Sequence, residues 1–224
     1  MLSSYMVNAL EDTLPYLEQT GNIFYVMDTE TTGFSRSNAD AIEISALKVE
    51  VTENGFDVID TFDTYINPEY SLPEAIVEFN EKNHTGVTDE LLAKAPSKTE
   101  AARNFVDFIK PYEMKFVVGH NIAFDLKFIE KLLEETRTAE AIRFAALDTL
   151  QMSRMHVSGS HKLCDMFELS EKKHTNAARD LVGFHNSLAD CYATLDVLDF
   201  LKKEFYSDKS IKKNKAKKTP SYER

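Results

Sequence analysis

Two carboxylates one residue apart follow an apolar run in FYVMDTETTGF, residues 24–34. The aromatic and β-branched residues before them predict a strand, on which residues i and i+2 point to the same side. Asp28 and Glu30 would then lie together, and this raises the pKa of at least one carboxyl unless a cation separates them. Mg²⁺, Mn²⁺ and Ca²⁺ prefer such oxygen ligands. The alternative is a solvated strand edge, so further ligands must come from elsewhere in the chain.

Two more carboxylates lie near the starts of predicted helices. Asp125 follows the segment GHNIAF, and Asp190 follows HNSLA. An acidic residue in the first helical turn is common because it complements the helix dipole, so either one alone is more typical of a cap than of a ligand. Both helices begin beside sheet ends, however, where sites collect in α/β folds. Four carboxylates could therefore converge on one point and bind cations.

Three histidines are candidates to act with these carboxylates. His120 and His185 each precede an Asp by five residues, and His174 precedes Asp180 by six. Five helical steps separate two side chains by about 140°, so a cooperating histidine must lie on the loop before its helix. His120 and His185 both meet that condition, and the spacing alone does not choose among the three.

The elements that would position these groups form a mixed α/β pattern. Three early strands are predicted to pair antiparallel, each with the next one along the chain. Asn54-Gly55 is predicted as the hairpin turn between the second and third strands. Strands then alternate with helices, which predicts a sheet covered by helices. The predicted strands are 22–27, 41–51, 58–66, 115–120 and 141–147, and the main predicted helices are 74–83, 98–111, 121–135, 147–155, 161–169 and 187–205.

Composition and charge limit the class of protein. The chain has 224 residues with 43 % hydrophobic and 11 % aromatic residues, which is enough for one large domain. No apolar run approaches the roughly 18 residues of a membrane span. Cys164 and Cys191 have no metal or redox spacing, which predicts reduced thiols in a cytoplasmic protein. We expect a helical extension over residues 1–20, a domain over 21–206 and a basic, disordered tail over 207–224.

The tail changes how the net charge of −11 is interpreted. Residues 209–224 contain six Lys and one Arg against one Glu, a net charge of +6, so the preceding 208 residues carry −17. An acidic body argues against a general nucleic-acid binder. The tail itself suits either a phosphate-attracting arm or a solubilising terminus.

Three segments in this order resemble the exonuclease motifs of the DEDDh 3′–5′ exonucleases. They are DTETTGF at residues 28–34, GHNIAFDLKFI at 119–129 and HNSLADCYAT at 185–194. This group includes the proofreading epsilon subunit of bacterial DNA polymerase III, RNase T and oligoribonuclease. The resemblance extends over about three quarters of the chain, and HTGVTDELL and LDTLQMSR between the motifs fit the epsilon-type pattern.

The resemblance implies a ribonuclease H-like fold with a five-stranded mixed sheet, three strands antiparallel and two parallel, flanked by helices. It also implies two divalent cations, Mg²⁺ or Mn²⁺, and hydrolysis of phosphodiester bonds from a 3′ end. His185 would be the general base that takes a proton from the attacking water. The implied metal ligands are Asp28, Glu30, Asp125 and Asp190, and the implied substrate-binding residues are Thr31, Thr32, Gly33, Phe34, His120 and Asn121.

The leading expectation is an exonuclease acting on single-stranded DNA 3′ ends and releasing nucleoside 5′-monophosphates. An exoribonuclease acting on RNA 3′ ends is the alternative enzyme, and an inactive nuclease-like module that binds a DNA polymerase or replication complex is the alternative without activity. The segment before the final motif is longer than the family pattern, which predicts a surface insertion containing His174. The oligomeric state is left open.

Overall fold

The computed structural model describes residues 3–7, 22–53, 55–110, 114–138, 142–174 and 185–205. Six strands and seven helices lie within these residues. The strands are β1 Ser3–Val7, β2 Ile23–Thr31, β3 Ala41–Thr52, β4 Gly55–Tyr65, β5 Met114–Gly119 and β6 Arg143–Asp148. The helices are α1 Glu74–Asn83, α2 Asp89–Leu92, α3 Lys98–Ile109, α4 Ile122–Glu135, α5 Thr149–His156, α6 Leu163–Glu168 and α7 Ser187–Phe205.

The strands form one mixed sheet in the order β1-β6-β5-β2-β3-β4. Strands β2, β3 and β4 are antiparallel neighbours, whereas β5 pairs parallel with both β2 and β6. The predicted five-stranded sheet is therefore confirmed for β2–β6. The predicted hairpin is also confirmed, since Thr52 of β3 pairs with Gly55 of β4.

The N-terminal segment corrects one prediction. Residues 3–7, which we expected within a helical extension, form β1 and pair parallel with β6 over Ser3–Val7 and Arg143–Leu147. Without β1, β6 would present a row of unpaired backbone groups at the edge of the sheet, and pairing satisfies them. This long-range contact outweighs a local helical pattern. The rest of the predicted extension, residues 8–20, and the predicted basic tail, residues 207–224, lie outside the described residues.

The two faces of the sheet are covered by different helices. On β2, Tyr25 and Met27 belong to the buried cluster that contains Phe105 of α3 and Phe128 of α4. Phe24 and Val26 belong to the opposite cluster, which contains residues of α5, α6 and α7 such as Met152, Met166 and Leu195. Because side chains alternate along a strand, odd-numbered residues of β2 face α4 and even-numbered residues face α7. Side chains at the end of β2 are therefore directed alternately toward α4 and toward α7.

Helix α5 follows strand β6 directly, with no loop residue between them. We expected the helix at about residue 147, but β6 continues to Asp148 and α5 begins at Thr149. The Asp148 side chain accepts hydrogen bonds from the backbone amides of Leu150 and Asn121, both at 2.9 Å. One N-cap residue therefore links the carboxyl ends of β5 and β6, beside the start of α4.

None of the helices within the described residues is long and apolar enough to span a membrane. Cys164 is half-buried and Cys191 is buried, and both are free thiols, as the sequence predicts.

Candidate active site

The two carboxylates at the end of β2 lie on the face of the sheet that α7 covers. Asp28 and Glu30 are even-numbered residues of β2, like Phe24 and Val26, so their side chains lie on the same face of the sheet, the face that α7 covers. They pair across the sheet with Ser45 and Glu43 of β3, and the register shifts between Glu30 and Thr31 where the strand ends. The sequence prediction that Asp28 and Glu30 share one side of a strand is consistent with this register.

The Asp125 side chain approaches the end of β2 from the opposite face of the sheet, which α4 covers. It lies in the first turn of α4, is 3 % exposed, and accepts hydrogen bonds from the Thr29 amide at 3.0 Å and the Thr29 hydroxyl at 2.8 Å. Thr29 is an odd-numbered residue of β2, like Tyr25 and Met27, so its side chain faces α4. A Cβ on Gly119 would lie 2.6 Å from the Ile122 side chain, so a glycine there lets α4 begin close to the sheet.

The start of α7 contributes the remaining groups. The Asn186 side-chain oxygen accepts from the Ala189 amide at 3.0 Å and caps the helix, and Asp190 lies in its first turn. The His185 amide is 3.3 Å from an Asp190 carboxylate oxygen. One ligand atom from each of Glu30, His185 and Asp190 lies within 4.8 Å of the others, and this group comes from two distant parts of the chain.

These carboxyl groups are strongly perturbed. Burial raises the pKa of Asp28 well above its usual range, and the negative charges of Asp125, Asp190 and Glu30 raise it further. Burial, followed by the charges of Asp190 and Asp125, raises the pKa of Glu30 to about 8. Burial also raises the pKa of Asp125 and of Asp190, although hydrogen bonds from Thr29 and from the His185 backbone oppose these shifts. Such a cluster is costly in the ionised state without positive charge nearby.

The residues present fit a hard divalent cation. One buried carboxylate oxygen of Asp190 has no hydrogen-bond partner among the described residues, although its other oxygen lies near the His185 amide. A buried acceptor without a donor is uncommon in folded proteins and points to a missing ligand. The donors around it are carboxylates, which Mg²⁺ and Mn²⁺ prefer.

A pocket of about 300 Å³ opens beside Glu30 and His185. Its aromatic walls are Phe34 after the β2 turn, Phe79 of α1 and Phe124 of α4. Phe34 is 88 % exposed and lies edge-on to Phe124, with 6.5 Å between ring centroids. The Phe79 ring contacts the His185 imidazole edge-on at 4.9 Å. The pocket therefore joins a carboxylate-lined end to an aromatic surface.

Three of the expected substrate-binding residues line this pocket, namely Thr31, Gly33 and Phe34. Thr32 does not. It is buried, and its hydroxyl accepts from the Asp40 amide at 3.0 Å and lies 2.9 Å from the Tyr70 hydroxyl. The side chain of Thr32 therefore holds the turn together.

His120 and Asn121 also lie outside the pocket lining. The two ring nitrogens of His120 lie 2.9 Å from the Thr149 hydroxyl and 2.7 Å from the His161 carbonyl oxygen. Asn121 has a φ of 74° and begins α4, with its amide bonded to Asp148. Both residues therefore lie beside the site with contacts inside the protein, and their contact with substrate stays a prediction.

His174 is away from the carboxylates, but it is not on a surface insertion as we expected. It is buried, its Nδ1 lies 2.6 Å from an Asp196 oxygen, and its Nε2 lies 2.8 Å from the Phe56 carbonyl oxygen. It therefore joins the segment before the final motif to α7 and β4. Residues 175–184, the remainder of the expected insertion, lie outside the described residues.

Sequence reasoning missed Glu43, Phe79 and Phe124. Glu43 is a carboxylate inside the apolar run AIEISAL, and a charged residue in a predicted buried strand was the signal for it. Phe79 lies three residues after Ile76 on α1, and this helical spacing places both on the pocket wall. Phe124 lies one residue before Asp125 on α4, and only the fold shows that it borders the pocket.

Relatives of the chain include DNA polymerase III subunits. It is 29 % identical over 201 residues to the DNA polymerase III subunit epsilon of Aquifex aeolicus (strain VF5), a match covering 86 % of this chain and 91 % of that protein. It is 28 % identical over 191 residues to the DNA polymerase III PolC-type of Bacillus subtilis (strain 168), covering 80 % of this chain. The matched region is only 12 % of that PolC-type protein.

Solved structures share the fold. The structure of E. coli Exonuclease I in complex with a dT13 oligonucleotide superposes with a TM-score of 0.63 and 18 % identity, covering 83 % of this chain and 42 % of that one. The model of the exonuclease family of the RNase T type matches residues 25–198, which run from within β2 to within α7 and include all five residues that the sequence indicates as ligands or base. The chain therefore belongs to the RNase T exonuclease family.

Proposed function

We propose that this protein is a metal-dependent 3′–5′ exonuclease that removes nucleotides from single-stranded DNA 3′ ends. One observation carries the proposal: ligand atoms of Glu30, His185 and Asp190 lie within 4.8 Å of one another beside an aromatic pocket, and the buried carboxyls of Asp28 and Asp125 interact electrostatically with this group. They come from β2, from α4 and from the start of α7, so no local packing requirement explains their convergence.

Asp28, Glu30, Asp125 and Asp190 would hold divalent cations. Bound there, Mg²⁺ or Mn²⁺ would polarise the phosphodiester and stabilise the charge that develops on its oxygens during hydrolysis. Thr29 would orient Asp125 toward this position through its two hydrogen bonds. The unpartnered oxygen of Asp190 would gain a partner.

His185 is suited to accept the proton of the attacking water. Neither ring nitrogen forms a hydrogen bond with a described residue, and partial burial lowers the pKa of the imidazole below its ordinary value. The ring is therefore neutral and able to act as a base at neutral pH. Water attacks phosphorus, its proton passes to His185, the bond to the 3′ oxygen of the preceding nucleotide breaks, and that oxygen takes a proton from solvent. A nucleoside 5′-monophosphate leaves, and the shortened strand has a new 3′ hydroxyl.

The pocket would hold the terminal nucleotide during this step. Its volume of about 300 Å³ is at the small end of ligand sites and suits a single nucleotide. Phe34 offers a ring face that can stack on a base, a contact worth roughly 1–3 kcal/mol whatever the base. Stacking without hydrogen-bond readout explains how an exonuclease accepts all four nucleotides. An acidic protein can bind a substrate in this way because only the strand end must approach the carboxylates.

DNA is preferred as the substrate class because the matched relatives are DNA polymerase III proteins and the fold is that of Exonuclease I, which was solved with dT13. The same relatives make a DNA polymerase or replication complex the expected partner. An inactive polymerase-binding module is disfavoured because all four carboxylates and His185 are present.

The deciding experiment compares single-stranded DNA and RNA of the same sequence, labelled at the 5′ end and incubated with Mg²⁺, Mn²⁺ or a chelator. We expect ladders shortened one nucleotide at a time from the 3′ end of DNA, faster than from RNA, and no reaction with chelator. The Asp28→Asn variant serves as the inactive control. Faster digestion of RNA would favour the exoribonuclease, and absence of cleavage of either strand would favour the inactive module.

A further inference from the structure

A buried polar contact joins β3 to the start of α7, immediately behind the proposed site. The Asn186 side-chain amide donates to Glu43 Oε1 at 3.0 Å. Glu43 is 1 % exposed and pairs across the sheet with Glu30, so its side chain lies on the face that α7 covers. One side chain thus links the strand next to β2 with the residue that follows His185.

A second contact runs beside the first. The hydroxyls of Ser45 and Ser187 lie 2.5 Å apart, and both side chains are fully buried. Ser45 also donates to Asp63 at 2.7 Å. Ser187 also hydrogen-bonds to Glu43, through both its backbone and its side chain. Glu43 and Ser45 are two residues apart on β3, and Asn186 and Ser187 are adjacent, so the two contacts fix the position of the helix start along the strand.

Asn186 has two roles that use different atoms. Its oxygen caps α7 through the Ala189 amide, and its nitrogen binds Glu43. The cap holds the helix, but the bond to Glu43 holds the helix start to the sheet. Asp190 has independent support because its neighbours Ala189 and Cys191 are buried in the long helix α7.

His185 lacks that support. It precedes the helix, its backbone has a φ of 70°, and no hydrogen bond to a described residue restrains its ring. A side-chain-bearing residue keeps this left-handed conformation only when its surroundings fix it. The next two residues, Asn186 and Ser187, anchor the chain to β3, and Asn186 is the one adjacent to His185.

We propose that Glu43 is a positioning residue that fixes the His185 imidazole through its hydrogen bond to Asn186. This inference rests on the proposed function, since it assigns a support to the proposed general base. Glu43 acts as a hydrogen-bond acceptor in this role and does not contact the substrate.

The test uses kinetics on a single-stranded DNA oligonucleotide with four variants of the full chain. Glu43→Leu removes the acceptor, and Glu43→Gln keeps an acceptor oxygen of the same reach. Asn186→Ser keeps a helix-capping side chain but is too short to reach Glu43. Glu50→Leu, on the exposed outer part of the same strand, is the matched control.

We expect Glu43→Leu and Asn186→Ser each to lower kcat by about 10- to 100-fold, the scale for a catalytic group displaced by about 1 Å. KM should change by less than about twofold, and Mn²⁺ affinity measured by calorimetry should change little, because the carboxylates stay in place. Glu43→Gln should recover most of kcat, and the Glu43→Leu, Asn186→Ser double variant should be no slower than the single variants.

Wild-type kcat in folded Asn186→Ser would overturn the inference, even if Glu43→Leu does not fold. A loss in Glu43→Gln as large as that in Glu43→Leu would also overturn it, because the carboxyl charge would then matter more than the acceptor. Inactivity of the wild-type protein on all strands would instead count against the proposed function.

Discussion

Asp125 of α4 accepts two hydrogen bonds from one residue of β2, Thr29, whose amide and hydroxyl lie 3.0 and 2.8 Å from the same carboxylate oxygen. The two residues are 96 positions apart in the sequence, and their contact holds the start of α4 against the end of β2. Neither of these two hydrogen bonds uses the other carboxylate oxygen of Asp125. Thr29 therefore orients a proposed ligand without being one.

Replacing Thr29 by Val removes the hydroxyl and keeps the shape of the side chain. We expect Mn²⁺ affinity to fall by about 10- to 100-fold, the range for partners that orient metal ligands. Isothermal calorimetry on the folded protein measures this directly. Thr29→Ser keeps the hydroxyl and should bind Mn²⁺ almost as well as the wild type. Equal affinity in Thr29→Val would show that the amide of residue 29 suffices.

Replacing Asp28 by Asn should abolish nearly all hydrolysis and should not destabilise the metal-free protein. The pKa of Asp28 and that of Glu30 are raised in the folded state, so folding favours their protonated forms. The free energy of unfolding of the metal-free protein should therefore fall as pH rises from about 4 to 8. Urea titrations across this range should show a shallower fall for Asp28→Asn. A decrease in stability of the variant at pH 8 would contradict this reasoning.

The general base gives a third prediction. His185→Ala should slow hydrolysis by about 10²–10⁴-fold with Mn²⁺ affinity nearly unchanged. Because the pKa of His185 is lowered, the acid limb of the wild-type rate profile should lie below the ordinary histidine value and should be absent in the variant. His84→Asn, a change at an exposed histidine, is the control and should keep both rate and limb. A retained acid limb in His185→Ala would assign it to another group.

His174 should stabilise the fold, which is contrary to its expected surface position. Burial alone would lower its pKa, but the hydrogen bonds to Asp196 and the Phe56 carbonyl raise it overall. The raised pKa means that the charged form is favoured by folding, so its contribution is complete below about pH 6.5 and is lost as pH rises through the folded pKa.

We expect His174→Leu to lower the free energy of unfolding by about 1.5–3 kcal/mol at pH 6, the range for hydrogen bonds to charged groups. The difference from the wild type should be smaller at pH 9. Urea unfolding at both pH values measures it. A difference that grows with pH would mean that folding favours the neutral imidazole.

Phe34 should contribute to substrate binding more than to turnover. Its ring is 88 % exposed at the pocket, so truncation to Ala removes little packing within the protein. Loss of one stacking contact of roughly 1–3 kcal/mol would raise KM for a DNA oligonucleotide by about 5- to 150-fold. Ile59→Ala, at an exposed apolar residue of β4, controls for a general loss of surface area. An unchanged KM in Phe34→Ala would remove stacking from the proposal.

Local geometry was enough for part of the site prediction. Strand alternation placed Asp28 and Glu30 on one side of β2, in agreement with the observed register, and helix starts beside sheet ends indicated Asp125 and Asp190 as candidates. The resemblance, and not the spacing, selected His185. What could not be predicted depends on contacts between distant segments. Hydrogen bonds to Thr149 and His161 remove His120 from the pocket, and those to Asp196 and Phe56 bury His174.

The position of β1 has a consequence for the behaviour of the protein at high concentration. By pairing with β6 it leaves β4 as the other terminal strand of the described sheet. Three exposed aspartates, Asp57, Asp60 and Asp63, lie on β4. A strand from a second molecule that carries the same charges would be repelled there, and acidic side chains on an edge strand are known to discourage such pairing. Electrostatic repulsion therefore protects the β4 edge of the sheet against edge-to-edge aggregation.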